Sequence, residues 1–211
     1  MSTGTIDFKK FKEMIEAQTA KGLNPVDAFK PKPTDTELFE AVRGCDFNAV
    51  YKRLENGGDA CSVDWAGYTP LHYAASKKEF DIALLLLDRG ADVNAKTRDQ
   101  EVAVISQAVL FGDKRMVELM IAEGADVNAV DKTGFSPLHY AARINNPEFV
   151  SMLLEAGAKP ELKDAEGLTP HELAKDMGAR GVIDVFESRS EKQHLEAVVA
   201  NDLKVSKKVR V

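Results

Sequence analysis

Four histidines and two cysteines are the residues of this sequence best suited to acid–base, nucleophilic or metal chemistry. His72 and His139 each stand in a Pro-Leu-His-Tyr-Ala-Ala segment, and no residues around them have the spacing of a catalytic triad or a metal site. Cys45 and Cys61 lie far apart, with no further cysteine or histidine at zinc-ligand spacing. Glycine-rich phosphate loops are also absent from the sequence. We therefore predict no enzyme activity, catalytic residue, metal site, cofactor or small-molecule substrate.

Composition narrows the class of protein further. The chain has 211 residues, is 44% hydrophobic and carries a net charge of −6 that is spread along its length, which argues against nucleic-acid binding through a cationic surface. Its longest aliphatic stretch, 82–87, is too short to span a membrane, and residues 1–20 match no secretory signal. We expect a cytoplasmic protein with a well-formed core, and we leave a nuclear location open.

A repeat of 33 or 34 residues organises the chain. Four glycines set the period, and each follows an apolar run with helical spacing: Gly57, Gly90, Gly124 and Gly157. Ala-Asp-Val-Asn-Ala follows two of these glycines, and Thr-Pro-Leu-His or Ser-Pro-Leu-His comes about a dozen residues later in two units. Thr69, Ser136 and Thr169 are suited to cap a helix, because their side-chain oxygens can accept from the first unpaired backbone N–H groups. A proline follows each of them at the first helical position, where no hydrogen bond is lost.

These two motifs at a fixed period resemble the ankyrin repeat, over about residues 34–187. The resemblance implies an all-α solenoid of helix-turn-helix units joined by hairpin loops, with a non-enzymatic role in protein binding. We expect five repeats that are capped at both ends and flanked by helical extensions. The expected segments are 1–33, an N-terminal amphipathic helix and linker; 34–63, 64–96, 97–130, 131–163 and 164–187, the repeats; and 188–211, a C-terminal helix and basic tail.

Both extensions have amphipathic patterns. Phe8, Phe11 and Ile15 recur at helical spacing among lysines, and a second pattern over 191–203 predicts a separate helix capped at Ser190. Packing on the terminal repeats is the simpler interpretation of each, and docking to another protein is the alternative.

The third repeat departs from the pattern. Ala103 stands where other units have the capping Thr or Ser, and the preceding hairpin holds one extra residue. We predict that Asp99 replaces the missing cap, so that the helix begins near Gln100, about one turn early. Neutral drift in a supported middle repeat and reshaping for a partner both remain open as explanations.

The resemblance also implies roles for single residues and a surface. His72 and His139 would tie helix starts to the neighbouring loop, and Asn94 would bridge backbone groups or, in an animal protein, be hydroxylated. The hairpin tips and first helices of such a stack form one concave wall, where aromatic side chains are typical of interface hot spots. Candidate partner-binding residues on it are Trp65, Tyr68, Tyr73, Leu110, Phe111, Lys132, Phe135, Tyr140 and Ile144. Packing between repeats is the alternative role of Tyr68, Tyr73, Phe135 and Tyr140, and this alternative explains Trp65 least well.

The last eight residues are basic. Lys207, Lys208 and Arg210 resemble a minimal nuclear-import signal, although a solvated tail is the simpler interpretation. Two functions follow from the sequence. The chain is a scaffold or regulatory subunit that binds another protein, as a monomer or in a hetero-complex; alternatively, the tail targets it to nucleus, membrane or nucleic acid and the repeats are a spacer.

Overall fold

The structure is a computed structural model that describes the backbone of residues 35–208 and the side chains of residues 35–192, 195 and 196. Within this range it contains ten helices and no strand beyond a bridge between Lys96 and Ala103. In chain order the helices are α1 (Thr36–Arg43), α2 (Phe47–Glu55), α3 (Pro70–Lys77), α4 (Phe80–Asp88), α5 (Val104–Phe111), α6 (Lys114–Ala122), α7 (Pro137–Arg143), α8 (Pro147–Glu155), α9 (Pro170–Asp176) and α10 (Arg180–Lys208). This architecture confirms the predicted all-α repeat stack.

Polar caps fix where most inner helices begin. Thr69, Ser136 and Thr169 are the N-caps of α3, α7 and α9, as predicted, and each accepts a hydrogen bond from the backbone N–H three residues on. A proline at the first helical position loses no hydrogen bond there. Asp35 caps α1 by accepting from the Leu38 N–H. These local signals place four of the five inner helices.

Two layers of helices build the stack. The first helices of the units (α1, α3, α5, α7 and α9) pack side by side as an inner layer, and the second helices form an outer layer. The alanine pairs 74–75 and 141–142 are fully buried in the inner layer, where their small side chains allow close approach. Leu86, Leu153 and Leu154 are buried between the layers. One core therefore runs through all five units.

Histidines tie successive units together. The Nδ1 atom of His72 accepts from the Thr69 N–H at 3.2 Å, so Nε2 carries the proton and donates to the Val102 carbonyl of the next unit at 3.1 Å. His139 bonds Ser136 and Leu168 in the same way. Burial lowers the pKa of His72 to about 4 and lowers that of His139, although the bonds to the backbone carbonyls oppose this shift. Both imidazoles are structural and neutral.

The helix of the third unit does not begin early, so the prediction that Asp99 caps it near Gln100 is wrong. Residues 98–100 form a turn and α5 begins at Val104, with Ala103 as an N-cap that makes no side-chain bond. The Thr97 N–H donates to the Val102 carbonyl at 3.0 Å, and the Val102 N–H donates to the Thr97 Oγ1 at 3.0 Å. These bonds close residues 97–102 into a turn, and the positive φ of Glu101 (56°) is incompatible with a right-handed helix there.

The C-terminal helix differs from the predicted one, and the predicted N-terminal helix lies outside the described residues. α10 runs without a break from Arg180 to Lys208, so the prediction of a separate helix capped at Ser190 is wrong. Leu195, which belongs to the predicted apolar stripe, is 65% exposed. The predicted N-terminal helix lies outside the described residues. The same holds for Arg210 and for the side chains of Lys207 and Lys208.

Candidate protein-interaction surface

Hairpin tips and the solvent-facing side of the inner helices form a continuous surface, which we call the inner wall. Neighbouring hairpins are joined by backbone hydrogen bonds: the Arg98 N–H donates to the Ala66 carbonyl at 2.9 Å, and the Ala165 N–H donates to the Thr133 carbonyl at 2.8 Å. The Lys132 N–H donates to the Gln100 carbonyl at 2.9 Å. The wall is therefore a preformed surface.

A polar and aromatic cluster occupies the wall at the second unit. The Tyr73 hydroxyl donates to Asp64 Oδ2 at 2.8 Å and accepts from Arg43 Nη2 at 2.9 Å. The Arg43 guanidinium also lies over the Tyr73 ring, 4.6 Å from its centroid. Burial, together with the bond to Asp64, raises the pKa of Tyr73. Tyr68 contacts Tyr73 at a centroid distance of 5.6 Å, and both rings are half-buried.

The fourth unit repeats this arrangement with its own arginine. The Tyr140 hydroxyl donates to Asp131 Oδ2 at 2.6 Å, and Arg143 lies 4.8 Å from the Tyr140 centroid and 5.4 Å from that of Phe135. Burial and the bond to Asp131 raise the pKa of Tyr140. Burial opposes ionisation of Asp131, but its hydrogen bonds with Tyr140 and the Thr133 side chain bring its pKa below the ordinary value. Tyr140 is itself buried, so it supports the wall from beneath.

Units three and five lack the tyrosine of this cluster. Gln107 occupies the equivalent position in α5, where it is buried and its Oε1 atom has no hydrogen-bond partner. In the fifth unit Leu173 takes the place of the tyrosine, and the Oδ2 atom of buried Asp164 is likewise unpaired. The carboxylate–tyrosine pairs therefore alternate along the wall.

The exposed apolar residues of the inner wall lie at hairpin tips and at the ends of inner helices. Trp65, at the tip of the second hairpin, is 81% exposed, and its carbonyl accepts from Arg98 Nη1 at 3.3 Å. Phe111 is 44% exposed at the end of α5, while Leu110 and Ile144 are half-buried. Lys132 is exposed at the fourth hairpin. Trp65 and Phe111 thus offer more free apolar area than the other predicted residues do.

Two wall residues escaped the sequence analysis. Met177 is 52% exposed and precedes Gly178, which ends α9 with positive φ, just as Phe111 precedes Gly112 and Ile144 precedes Asn145. Aligning the units on these positive-φ residues identifies Met177 as the equivalent of Phe111 and Ile144. The same alignment places Arg43 at the position of Arg143, but it does not show that Arg43 contacts Tyr73 of the next unit.

The described part of the chain holds neither a cluster of three metal-ligating side chains nor a membrane-spanning helix. No group of three or more His, Cys, Asp or Glu side chains there is placed to hold a metal ion. None of the described helices combines the length and apolarity needed to cross a membrane.

Comparison with known proteins identifies the repeats. A family model described as ankyrin repeats, in three copies, matches residues 105–188, and a model of the single ankyrin repeat matches residues 66–98. Together the two matches cover more than half of the chain.

Relatives of known name share part of the stack. Neurogenic locus notch homolog protein 1 of Xenopus tropicalis and that of Homo sapiens are each 36% identical to the chain over 141 residues, which is 66% of this chain and 6% of each relative. The protein of the same name from Danio rerio is 36% identical over 137 residues, or 64% of this chain and 6% of that relative. The chain spans only about a twentieth of the length of these relatives. With its motifs, its stacked helix pairs and these matches, the chain belongs to the ankyrin-repeat family.

Proposed function

We propose that the protein is a non-enzymatic scaffold or regulatory subunit that binds a partner protein through the inner wall. One observation carries this proposal: Trp65 exposes 81% of its surface at the tip of a hairpin. A tryptophan held in water gains more from burial against a partner than any other side chain of the wall, and tryptophan is enriched in interface hot spots.

The rigidity of the wall supports the proposal. Hydrogen bonds between neighbouring hairpins and the Asp64–Tyr73 and Asp131–Tyr140 pairs fix the backbone and the ring positions before any partner arrives. Binding to such a surface costs little ordering entropy, so the apolar area that becomes buried contributes more fully to affinity.

The pattern of charge along the wall suggests the chemistry of the partner. Phe111, Ile144 and Met177 form an apolar row across three units, and the exposed cations Arg43 and Arg143 lie on the same wall. A partner segment with apolar side chains flanked by acidic residues would complement both features.

Affinity capture with the full chain tests the proposal against tail-driven targeting. The bait proteins are the wild type, the double variant Trp65→Ala/Phe111→Ala, a chain without residues 204–211, and Glu118→Ala as a control on the outer helix α6. We expect one or a few proteins to be recovered by the wild type, the tail deletion and the control, and to be lost from the double variant. Circular dichroism confirms that every bait is folded.

The opposite result of the capture experiment would support targeting by the C-terminal tail. If deletion of residues 204–211 abolishes recovery while the double variant captures the same proteins as the wild type, the tail is the recognition element and the repeats are a spacer.

A further inference from the structure

The outer helices of the first two units expose apolar residues at positions that face solvent. Phe47, the first residue of α2, is 43% exposed, and Tyr51, four residues on, is 45% exposed. Leu84 takes the position of Tyr51 in α4 and is 46% exposed. The outer face of this end of the stack therefore leaves a stripe of apolar surface in water.

Most of the equivalent positions in units three to five are polar, and exposed Pro147 at the start of α8 is the exception. Lys114, the equivalent of Phe47 in α6, forms an ion pair with Glu148 of α8 at 2.5 Å. The equivalents of Tyr51 and Leu84 are Glu118 in α6, Ser151 in α8 and Asp184 in α10. The contrast is confined to one end of the stack, so it is not a general property of these outer helices.

A groove runs along this apolar stripe. It has a volume of about 560 Å³ and is lined by Phe47, Leu84 and Leu85, with the carboxylates of Asp81 and Asp88 at its rim. Asp81 is exposed, and exposed Asp88 pairs with neighbouring Arg89 at 3.4 Å. The groove thus combines an apolar floor with an acidic rim.

We propose that the N-terminal segment of this same chain, residues 6–16, docks in this groove. Phe8, Phe11 and Ile15 recur at helical spacing and supply a narrow apolar stripe. Lys9, Lys10 and Lys12 stand between these apolar residues, and Asp7, Glu13 and Glu16 balance them, so the formal charge of the segment is 3 − 3 = 0. At helical spacing Lys12 adjoins the apolar stripe, where it can meet a carboxylate of the groove. The apolar pattern of the segment therefore matches the apolar floor of the groove.

The connection between the segment and the groove is long enough. Described structure begins at Asp35, whose carboxylate bonds the Arg53 guanidinium at 2.9 Å near the end of α2, whereas Phe47 lies at the start of that helix. A nine-residue helix is about 13 Å long. Residues 17–34 can span roughly 55 Å when extended, so docking on the first two units is within reach.

Photo-crosslinking in the purified full chain tests this assignment. Benzoylphenylalanine replaces Phe11, on the apolar stripe, and in a second protein it replaces Glu13, which lies on the opposite face at helical spacing. We expect the probe at position 11 to crosslink within one chain to residues of α2 or α4, as mapped by peptide mass spectrometry. The probe at position 13 should give little of this product.

Matched variants in the outer layer sharpen the test. Leu84→Ser should reduce the intramolecular product by about tenfold, the factor that corresponds to 1.4 kcal/mol, whereas Glu118→Ser, at the same position in α6, should leave it unchanged. A product that links two chains assigns the groove to a second copy and overturns the proposal. Crosslinks to the inner wall overturn it as well, as does the absence of a crosslink to α2 or α4.

Discussion

Polar N-caps and histidine hydrogen bonds fix where the inner helices of the second and fourth units begin, whereas apolar packing fixes the start of the inner helix of the third unit. Thr69 and Ser136 cap α3 and α7, and His72 and His139 bond the next hairpin. α5 has no side-chain cap, and its residues 104–109 are all buried. Nevertheless α5 begins at the same position in the unit as its neighbours do.

This difference shows that neighbouring repeats can impose a helix start that the local sequence does not encode. In place of a proline, α5 begins with Val104, whose N–H would be unsatisfied. That N–H donates to the Ala95 carbonyl across the hairpin at 3.3 Å. A backbone bond therefore replaces part of the missing cap, and burial against α3 and α7 supplies the rest.

The units differ most in the space around their hairpin glycines. Gly134 has a φ of +78°, and a Cβ there would lie 2.8 Å from the Asp164 Cα of the next hairpin; Gly167 has a φ of +83° with nothing within 4 Å. We expect Gly134→Ala to lower the free energy of unfolding by about 4 kcal/mol, through backbone strain and overpacking, and Gly167→Ala by only about 1 kcal/mol.

Urea denaturation measures both variants. Glu101→Gly, at the equivalent position of the third unit, removes a positive-φ side chain (56°) and should not destabilise the stack. Equal losses for Gly134→Ala and Gly167→Ala would contradict the close approach of neighbouring hairpins.

The buried histidines give units two and four a pH dependence that unit three, with Ser106 at that position, lacks. Burial lowers the pKa of His72 from 6.5 to about 4, so the unfolded chain binds the proton first as the pH falls. The contribution of neutral His72 to the free energy of unfolding is therefore complete above pH 6.5 and is lost as the pH falls from about 6.5 to 4. We expect a loss on the order of 3 kcal/mol over that range.

Urea midpoints at several pH values, for the wild type and His72→Gln, isolate this contribution from that of other groups. The variant should be less stable near neutral pH and should lose less stability on acidification. An identical pH profile for both proteins would show that His72 is not held neutral by burial.

A cap can be restored to the third unit. Ala103 has φ −76° and ψ 154°, close to the −79° and 162° of Thr169, so a threonine hydroxyl there would be placed to accept from a first-turn N–H. We expect Ala103→Thr to raise the free energy of unfolding by about 1 kcal/mol, and Thr69→Ala to lower it by a similar amount. Thermal denaturation measures both changes. Destabilisation by Ala103→Thr would mean that packing around Ala103 excludes a larger side chain.

Local signals explain which parts of the fold the sequence predicts. Proline after Thr or Ser, and glycine after an apolar run, act within one turn of a helix, so α3, α7 and α9 are predictable from a few residues. The start of α5 depends on adjacent units, and the unbroken α10 has no breaker near Ser190 to end it.

Side-chain exposure on the wall was only partly predictable. Trp65 was expected to be exposed because a hairpin tip offers few neighbours, and the structure agrees. Tyr140 is buried because its hydroxyl reaches Asp131 of the hairpin, a contact between different elements, and because Arg143, three residues on in α7, covers its ring. Arg43 acts on Tyr73 of the next unit, so sequence position alone does not reveal it.

The affinity of the captured partner for single variants tests the recognition surface most directly. Calorimetry should show that Trp65→Ala, in the second unit, and Phe111→Ala, in the third, each weaken binding by about tenfold or more, with little change in melting temperature. Glu118→Ala on α6 should bind like the wild type. If both wall variants bind within about twofold of the wild type, far below the hot-spot scale, the inner wall is not the surface that binds the partner.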